Sequence, residues 1–134
     1  MRTIIAGSRT TEKNQLEEAI NQCPWAGEIE RVISGGQHSY DPIKKRHYGA
    51  DYWGEQWARE NKISCDVYKA DWRNGRQAGP IRNNLMARNA DALLAVWDGK
   101  SPGTADMIAK ARQYNLIVFV HRTDRPAQNG KQDG

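Results

Sequence analysis

Five short apolar runs alternate with four helix-like segments, and this alternation restricts the fold more than any other feature of the chain. The runs occupy residues 3–6, 31–34, 64–69, 92–97 and 116–120. They are almost continuously apolar and rich in valine and isoleucine, as strands are when helices cover both faces of a sheet. The helix predicted over residues 11–22 carries Leu16, Ala19, Ile20 and Cys23 at i, i+3, i+4 and i+7, the stripe of a core-facing helix. Thr10 or Thr11 is its expected cap. A second helix is predicted over 50–61, with Trp53 and Trp57 on one face. A third starts at Gly79-Pro80, where proline is tolerated in the first turn, and a fourth covers 103–114. Strand alternating with helix builds right-handed βαβ units. The expected architecture is therefore α/β: a Rossmann-like, doubly wound, mostly parallel five-stranded sheet with helices on both faces.

A chain of 134 residues has room for one such unit, predicted over residues 1–121, with a flexible tail over 122–134. Its 38% hydrophobic and 27% charged residues exclude the disordered class. No apolar run is long enough to span a bilayer, and the opening Met1-Arg2-Thr3-Ile4-Ile5-Ala6-Gly7 reads as a strand, not a leader. Cys23 and Cys65 lie far apart with no Cys-x-x-Cys spacing, so both are expected as small core residues in a reducing, cytoplasmic setting. The net charge of +4 favours an anionic ligand. Apart from Lys44-Lys45-Arg46-His47 the basic residues are scattered, which leaves a nucleic-acid partner as the weakest of three functional readings.

Glycine falls repeatedly at one edge of the expected sheet. Gly7-Ser8-Arg9-Thr10 follows the first strand, Gly35-Gly36 the second, Asp71 to Pro80 the third, and Asp98-Gly99-Lys100-Ser101-Pro102-Gly103-Thr104 the fourth. All four turns sit at carboxyl ends of strands, where open α/β sheets bind their ligands. Glycine permits close backbone approach, and the helix N-termini that follow offer free amides to anions. Tight turns of this kind also serve the fold alone, and Gly7 by itself fits that structural role. Neither G-x-G-x-x-G nor G-x-x-x-x-G-K-[ST] occurs, so an ordinary dehydrogenase and a P-loop ATPase are both set aside.

At these loops the chain resembles the SLOG superfamily, in its YspA-type, YpsA-related branch. The matching stretches are Ile4-Ile5-Ala6-Gly7-Ser8-Arg9, Val32-Ile33-Ser34-Gly35-Gly36, Gly49-Ala50-Asp51, Ala70-Asp71-Trp72 and Ala78-Gly79-Pro80-Ile81-Arg82-Asn83. They continue through Ala90 to Gly99 and Ser101-x-Gly103-Thr104-x-x-Met107-Ile108, so the resemblance runs in order along nearly the whole chain. It implies a Rossmann-like domain that binds nucleotides, ADP-ribose-like molecules or related signalling derivatives. More distant relatives, the LOG phosphoribohydrolases, cleave the N-glycosidic bond of a nucleoside monophosphate and form dimers with shared pockets. A homo-oligomer is thus expected, with Trp53 and Trp57 either at its contact or in the core.

Two departures from that pattern bear on function. The LOG enzymes carry Gly-Gly-x-Gly-Thr-x-x-Glu, and here Met107 fills the glutamate slot, where it cannot move a proton. Asp106, one residue early, is expected to point in a different direction. Between Gly36 and Gly49, where similar proteins have a couple of residues, this chain inserts residues 37–48. His38, Tyr40, Lys44, Lys45, Arg46, His47 and Tyr48 of that insertion suit a lid over an anionic, base-containing ligand, or else a solvated loop or an oligomer contact.

The expected ligand residues are Gly7, Ser8, Arg9, Gly35, Gly36, Trp72, Arg82, Asn83, Asp98, Gly103 and Thr104. Trp72 is the stacking candidate, and Asp98 either accepts ribose hydroxyls or braces its own loop. No cofactor or metal is expected, because His38, His47 and His121 lack ligand spacing and no cysteine pair exists. The leading expectation is a sensor or sequestering protein for a nucleotide derivative. The enzyme rival is an N-glycosidase acting through Asp98 or Asp106, or through Asp51 or Glu55.

Overall fold

The apolar runs pair as one parallel sheet in the order β5-β2-β1-β6-β7. The computed structural model describes residues 1–125. In chain order the elements are β1 (Arg2–Gly7), α1 (Lys13–Gln22), β2 (Arg31–Ser34), β3 (Ser39–Asp41), β4 (Arg46–Tyr48) and α2 (Ala50–Glu60). They continue with β5 (Ser64–Val67), α3 (Ala78–Arg88), β6 (Ala92–Trp97), α4 (Pro102–Gln113) and β7 (Ile117–Arg122). Short 3₁₀ turns at Ala26–Glu28 and Trp72–Gln77 complete the connections.

Alternate residues of each strand face opposite layers, which explains why the runs had to be apolar throughout. Ile5, Val32, Leu94 and Val96 pack with Leu16 and Ile20 of α1 and Ala58 of α2. Ile4, Ile33, Leu93 and Ala95 pack with Met86 of α3 and with Met107 and Ile108 of α4. Ile4, Ile5, Leu93 and Leu94 are fully buried, each contributing about 1.5–3 kcal/mol of transfer free energy. β1 is central: the chain first moves outward through β2 and β5, then crosses to β6 and β7 on the other side. Loops therefore part above the carboxyl ends of β1 and β6, the switch point at which such sheets form their crevice.

The structure differs from expectation at three places. The cap of α1 is Glu12, whose amide donates to Gln15 Oε1 at 2.8 Å. Thr11 is instead buried beneath the preceding turn, its hydroxyl donating to the Ser8 carbonyl at 2.8 Å. The segment expected as an inserted loop over 37–48 forms a hairpin, with β3 and β4 antiparallel and Tyr40 opposite His47. Asp41 closes its turn by accepting the amides of Ile43 and Lys44. Lastly, Arg122 does not begin a tail. It ends β7 opposite Trp97, lies over that indole at 5.0 Å and pairs with Asp124. The rest of the expected tail, residues 126–134, lies outside the described residues.

Trp53 and Trp57 pack, partly buried, against the core on the α1 and α2 side. Both cysteine thiols are free, Cys23 buried and Cys65 half-buried. Among the described residues no helix is long and apolar enough to cross a membrane.

Candidate functional site

At the switch point lies a cavity of about 780 Å³, within the roughly 300–1,000 Å³ typical of small-molecule sites. Its floor is the end of β1, and its walls are the first turns of α2, α3 and α4 together with the Trp72–Gln77 turn. Of the expected ligand residues, Gly7, Ser8, Arg9, Gly35, Trp72, Arg82, Asn83, Gly103 and Thr104 border it, whereas Gly36 and Asp98 do not.

Asp98 follows β6 and bends back on its own loop. One carboxylate oxygen accepts the amides of Lys100 and Ser101 at 2.9 and 2.8 Å, and the other accepts the Ser101 hydroxyl at 3.0 Å. Burial raises its carboxyl, but the amides of Ser101 and Lys100 and the hydroxyls of Ser101 and Ser8 outweigh burial and carry it down to about 2. The Ser8 hydroxyl is likewise committed, its oxygen receiving the Asp98 amide at 3.0 Å and lying 3.2 Å from the Ser101 hydroxyl oxygen. Asp98 is thus a loop brace, with both carboxylate oxygens hydrogen-bonded within its own loop and outside the cavity lining.

Asp106 and Met107 both border the cavity, which wraps more than one side of the first turns of α4. Asp106 is nonetheless engaged, taking Lys110 Nζ at 2.7 Å and Asn83 Nδ2 at 3.0 Å. Asn83, 5% exposed, joins α3 to α4 by also donating to the Gly103 carbonyl at 3.2 Å. Its Oδ1 receives Arg82 Nε at 3.0 Å and so fixes the arginine that spans the crevice. Arg82 Nη1 donates to the Gly35 carbonyl at 2.6 Å. Burial lowers the Arg82 guanidinium from its ordinary value, opposed by the nearby Asp51 carboxylate.

Gly7 and Gly103 border the same cavity for different reasons. A Cβ on Gly7 would lie 2.1 Å from the Val96 carbonyl oxygen, so contact between β1 and β6 alone requires glycine there. A Cβ on Gly103 would meet nothing within 4 Å. Its missing side chain leaves open space at the start of α4, where the amides of Gly103 and Thr104 receive no acceptor among the described residues.

Sequence reasoning overlooked Arg76, which borders the cavity from the turn that also carries Trp72. Its loop was recognised, but among Arg73, Arg76 and Arg82 no spacing separates the inward cation from the outward one. Arg73 is spent on Asp71 at 2.8 Å, whereas among the described residues neither Arg9 nor Arg76 makes a side-chain hydrogen bond or ion pair. The cavity thus presents Arg9, Arg76 and Arg82 against Asp51 and the already neutralised Asp106.

The hairpin does not roof this cavity. From residues 37–48 only Gln37 borders it, and His38, Tyr40, Lys44, Lys45, Arg46, His47 and Tyr48 lie elsewhere. Several have partners of their own: Arg46 makes two 2.9 Å bonds to Glu12 and covers the Tyr48 ring, and His47 stacks on Tyr52 at 5.3 Å. His38 meets Glu55 at 2.9 Å, and the other oxygen of Glu55 takes the Ser34 hydroxyl at 2.6 Å. Glu55, a candidate acid from sequence, is therefore occupied and does not border the cavity. Among the described residues no three His, Cys, Asp or Glu side chains converge as metal ligands.

No family model, no curated protein and no solved structure matches the chain at a significant level.

Proposed function

We propose that this protein binds a nucleotide-derived anion, of ADP-ribose or cyclic-nucleotide type, in the crevice between β1 and β6, and holds it without cleaving it. One observation carries the reading: three arginines and the unpaired amides of Gly103 and Thr104 converge on a cavity of nucleotide size at the switch point. Arginine forks and helix N-terminal amides are the groups that take phosphate. The exposed Trp72 ring and Pro80 supply a surface for a base. Met107, 1% exposed, stands where a proton-transferring residue would be needed for hydrolysis along the route of the LOG enzymes.

A second reading, cleavage of an N-glycosidic bond, has one observation in its favour. Burial pushes the Asp51 carboxyl up to about 6, inside the same cavity, within reach of general-acid duty near neutral pH. Thermal-shift screening with AMP, ADP-ribose, NAD, cyclic ADP-ribose isomers and cyclic dinucleotides, followed by mass spectrometry of the incubated ligand, separates the two. A stabilising ligand recovered intact supports binding alone. Release of a free base moves the assignment to Asp51 as an acid, and no shift with any compound rejects both.

A further inference from the structure

Asp51 carries the cavity's open acceptor. Its side chain, 8% exposed in the first turn of α2, gives Oδ2 to the Gln37 amide at 2.9 Å. Oδ1 receives no hydrogen bond among the described residues, although the residue borders the cavity. Burial of the side chain makes its charge costly, and a donor to the open oxygen offsets that cost. The charged and titratable groups that face it are Arg82 from α3, Glu55 from its own helix and His38 from the segment before β3, with Cys65 of β5 behind. None of them donates to Oδ1. Arg82 is the nearest cation, but its Nη1 and Nε are taken by the Gly35 carbonyl and by Asn83. Gly35 keeps this arrangement compact, since a Cβ there would stand 2.6 Å from Arg82 Nη1 and 3.0 Å from Asp51 Oδ2.

Oδ1 is open to the cavity, so a molecule bound there can supply its donor in place of water. A phosphate oxygen is repelled by the carboxylate, and a cationic group is repelled by Arg9, Arg76 and Arg82. What remains is a neutral hydrogen-bond donor carried on an anionic molecule. We propose that Asp51 accepts the vicinal hydroxyls of a ribose, so that the cavity takes ribonucleotides in preference to their deoxy counterparts. This rests on the nucleotide reading above and adds the sugar to it. Burial of the carboxyl, which pushes it up to about 6, makes the gain from two hydroxyl donors larger than at a solvated aspartate.

The test is calorimetric titration of the unaltered chain with AMP, deoxy-AMP and dideoxy-AMP. Removing both hydroxyls is expected to weaken binding about tenfold or more, because a charged hydrogen-bond acceptor is left unsatisfied. The Asp51→Asn variant is expected to bind the three probes within about threefold of one another, since its side chain no longer carries the charge that strengthens those bonds. A second measurement needs no variant. Hydroxyl donors hold Asp51 ionised, so near its own midpoint AMP is expected to release up to about half a proton more than dideoxy-AMP, read from heats in buffers of different ionisation enthalpy. The titration of the phosphate itself cancels in that difference. Equal affinities for AMP and dideoxy-AMP overturn the ribose proposal and leave nucleotide binding standing. A loss of affinity without the proton difference assigns the hydroxyls to another group and also overturns it. No binding of any of the three probes overturns the ribose proposal as stated for this series and leaves the nucleotide reading to the wider panel above.

Discussion

The two shoulders of the cavity each hold an aspartate near the sheet edge, and the two are finished in opposite ways. On the β6 shoulder, Ser8, Asp98 and Ser101 satisfy one another, and the Asp98 carboxyl sits at about 2. On the β2 shoulder, Asp51 has one oxygen taken and one open, and burial holds its carboxyl at about 6. Residue type does not distinguish them; the supply of local donors does. A loop that folds back on its own aspartate gives rigidity. A helix that starts beneath a carboxylate, with the chain supplying a single amide, leaves an acceptor for something else.

The largest expected effect lies under the closed shoulder. Gly7→Ala drives a Cβ into the Val96 carbonyl at 2.1 Å and must part β1 from β6. It should cost about 3 kcal/mol or more of stability in denaturant unfolding, among the severe values for a single substitution. The two aspartates then separate by pH. Unfolded aspartate titrates near about 3.9, so between there and about 6 the folded state binds more protons through Asp51 than the unfolded chain does. Stability should therefore fall as pH rises through that window, by up to about 3 kcal/mol, and Asp51→Asn should remove the slope. Asp98 has the reverse sign. Its depressed carboxyl stabilises the fold above the unfolded value, and the contribution fades as pH drops towards about 2. Asp98→Asn should lose about 1–2 kcal/mol near neutrality, after allowance for solvent screening, and flatten that acid limb.

Smaller effects sharpen the contrast between wall and floor. Gly103→Ala, with open space around its Cβ, should hold stability within about 0.5 kcal/mol while weakening nucleotide binding by intruding on the cavity. Arg46→Ala on the hairpin breaks an exposed pair with Glu12 and should cost under about 1 kcal/mol, with no change in ligand affinity. A loss of affinity there would return the hairpin to the role of a lid.

The sequence displayed the sheet because continuous apolar runs have one sensible use, and parallel pairing puts the four glycine turns that follow strands on one edge. Arg9, Gly35, Arg82 and Gly103 were legible for that reason, as backbone position alone brings them to the crevice. The fates of Asp98 and Asp51 were not, because they depend on which amides lie within about 3 Å. The segment 37–48 was legible as a run of cations and rings but not as a hairpin set apart from the cavity. Its cations and rings were read as free for a ligand, whereas Glu12 and Tyr52, from α1's cap and α2, already hold Arg46 and His47. Arg76 was hidden among neighbouring arginines that the turn around Gly75 directs to different sides.

The most direct test of nucleotide binding at the switch point is amide chemical-shift mapping of the chain titrated with ADP-ribose. The account predicts the largest perturbations at Ser8, Gly35, Arg82, Gly103 and Thr104, with Tyr40, Ile43 and Lys45 on the hairpin unmoved. Saturable shifts confined to the hairpin, or none anywhere, would contradict it.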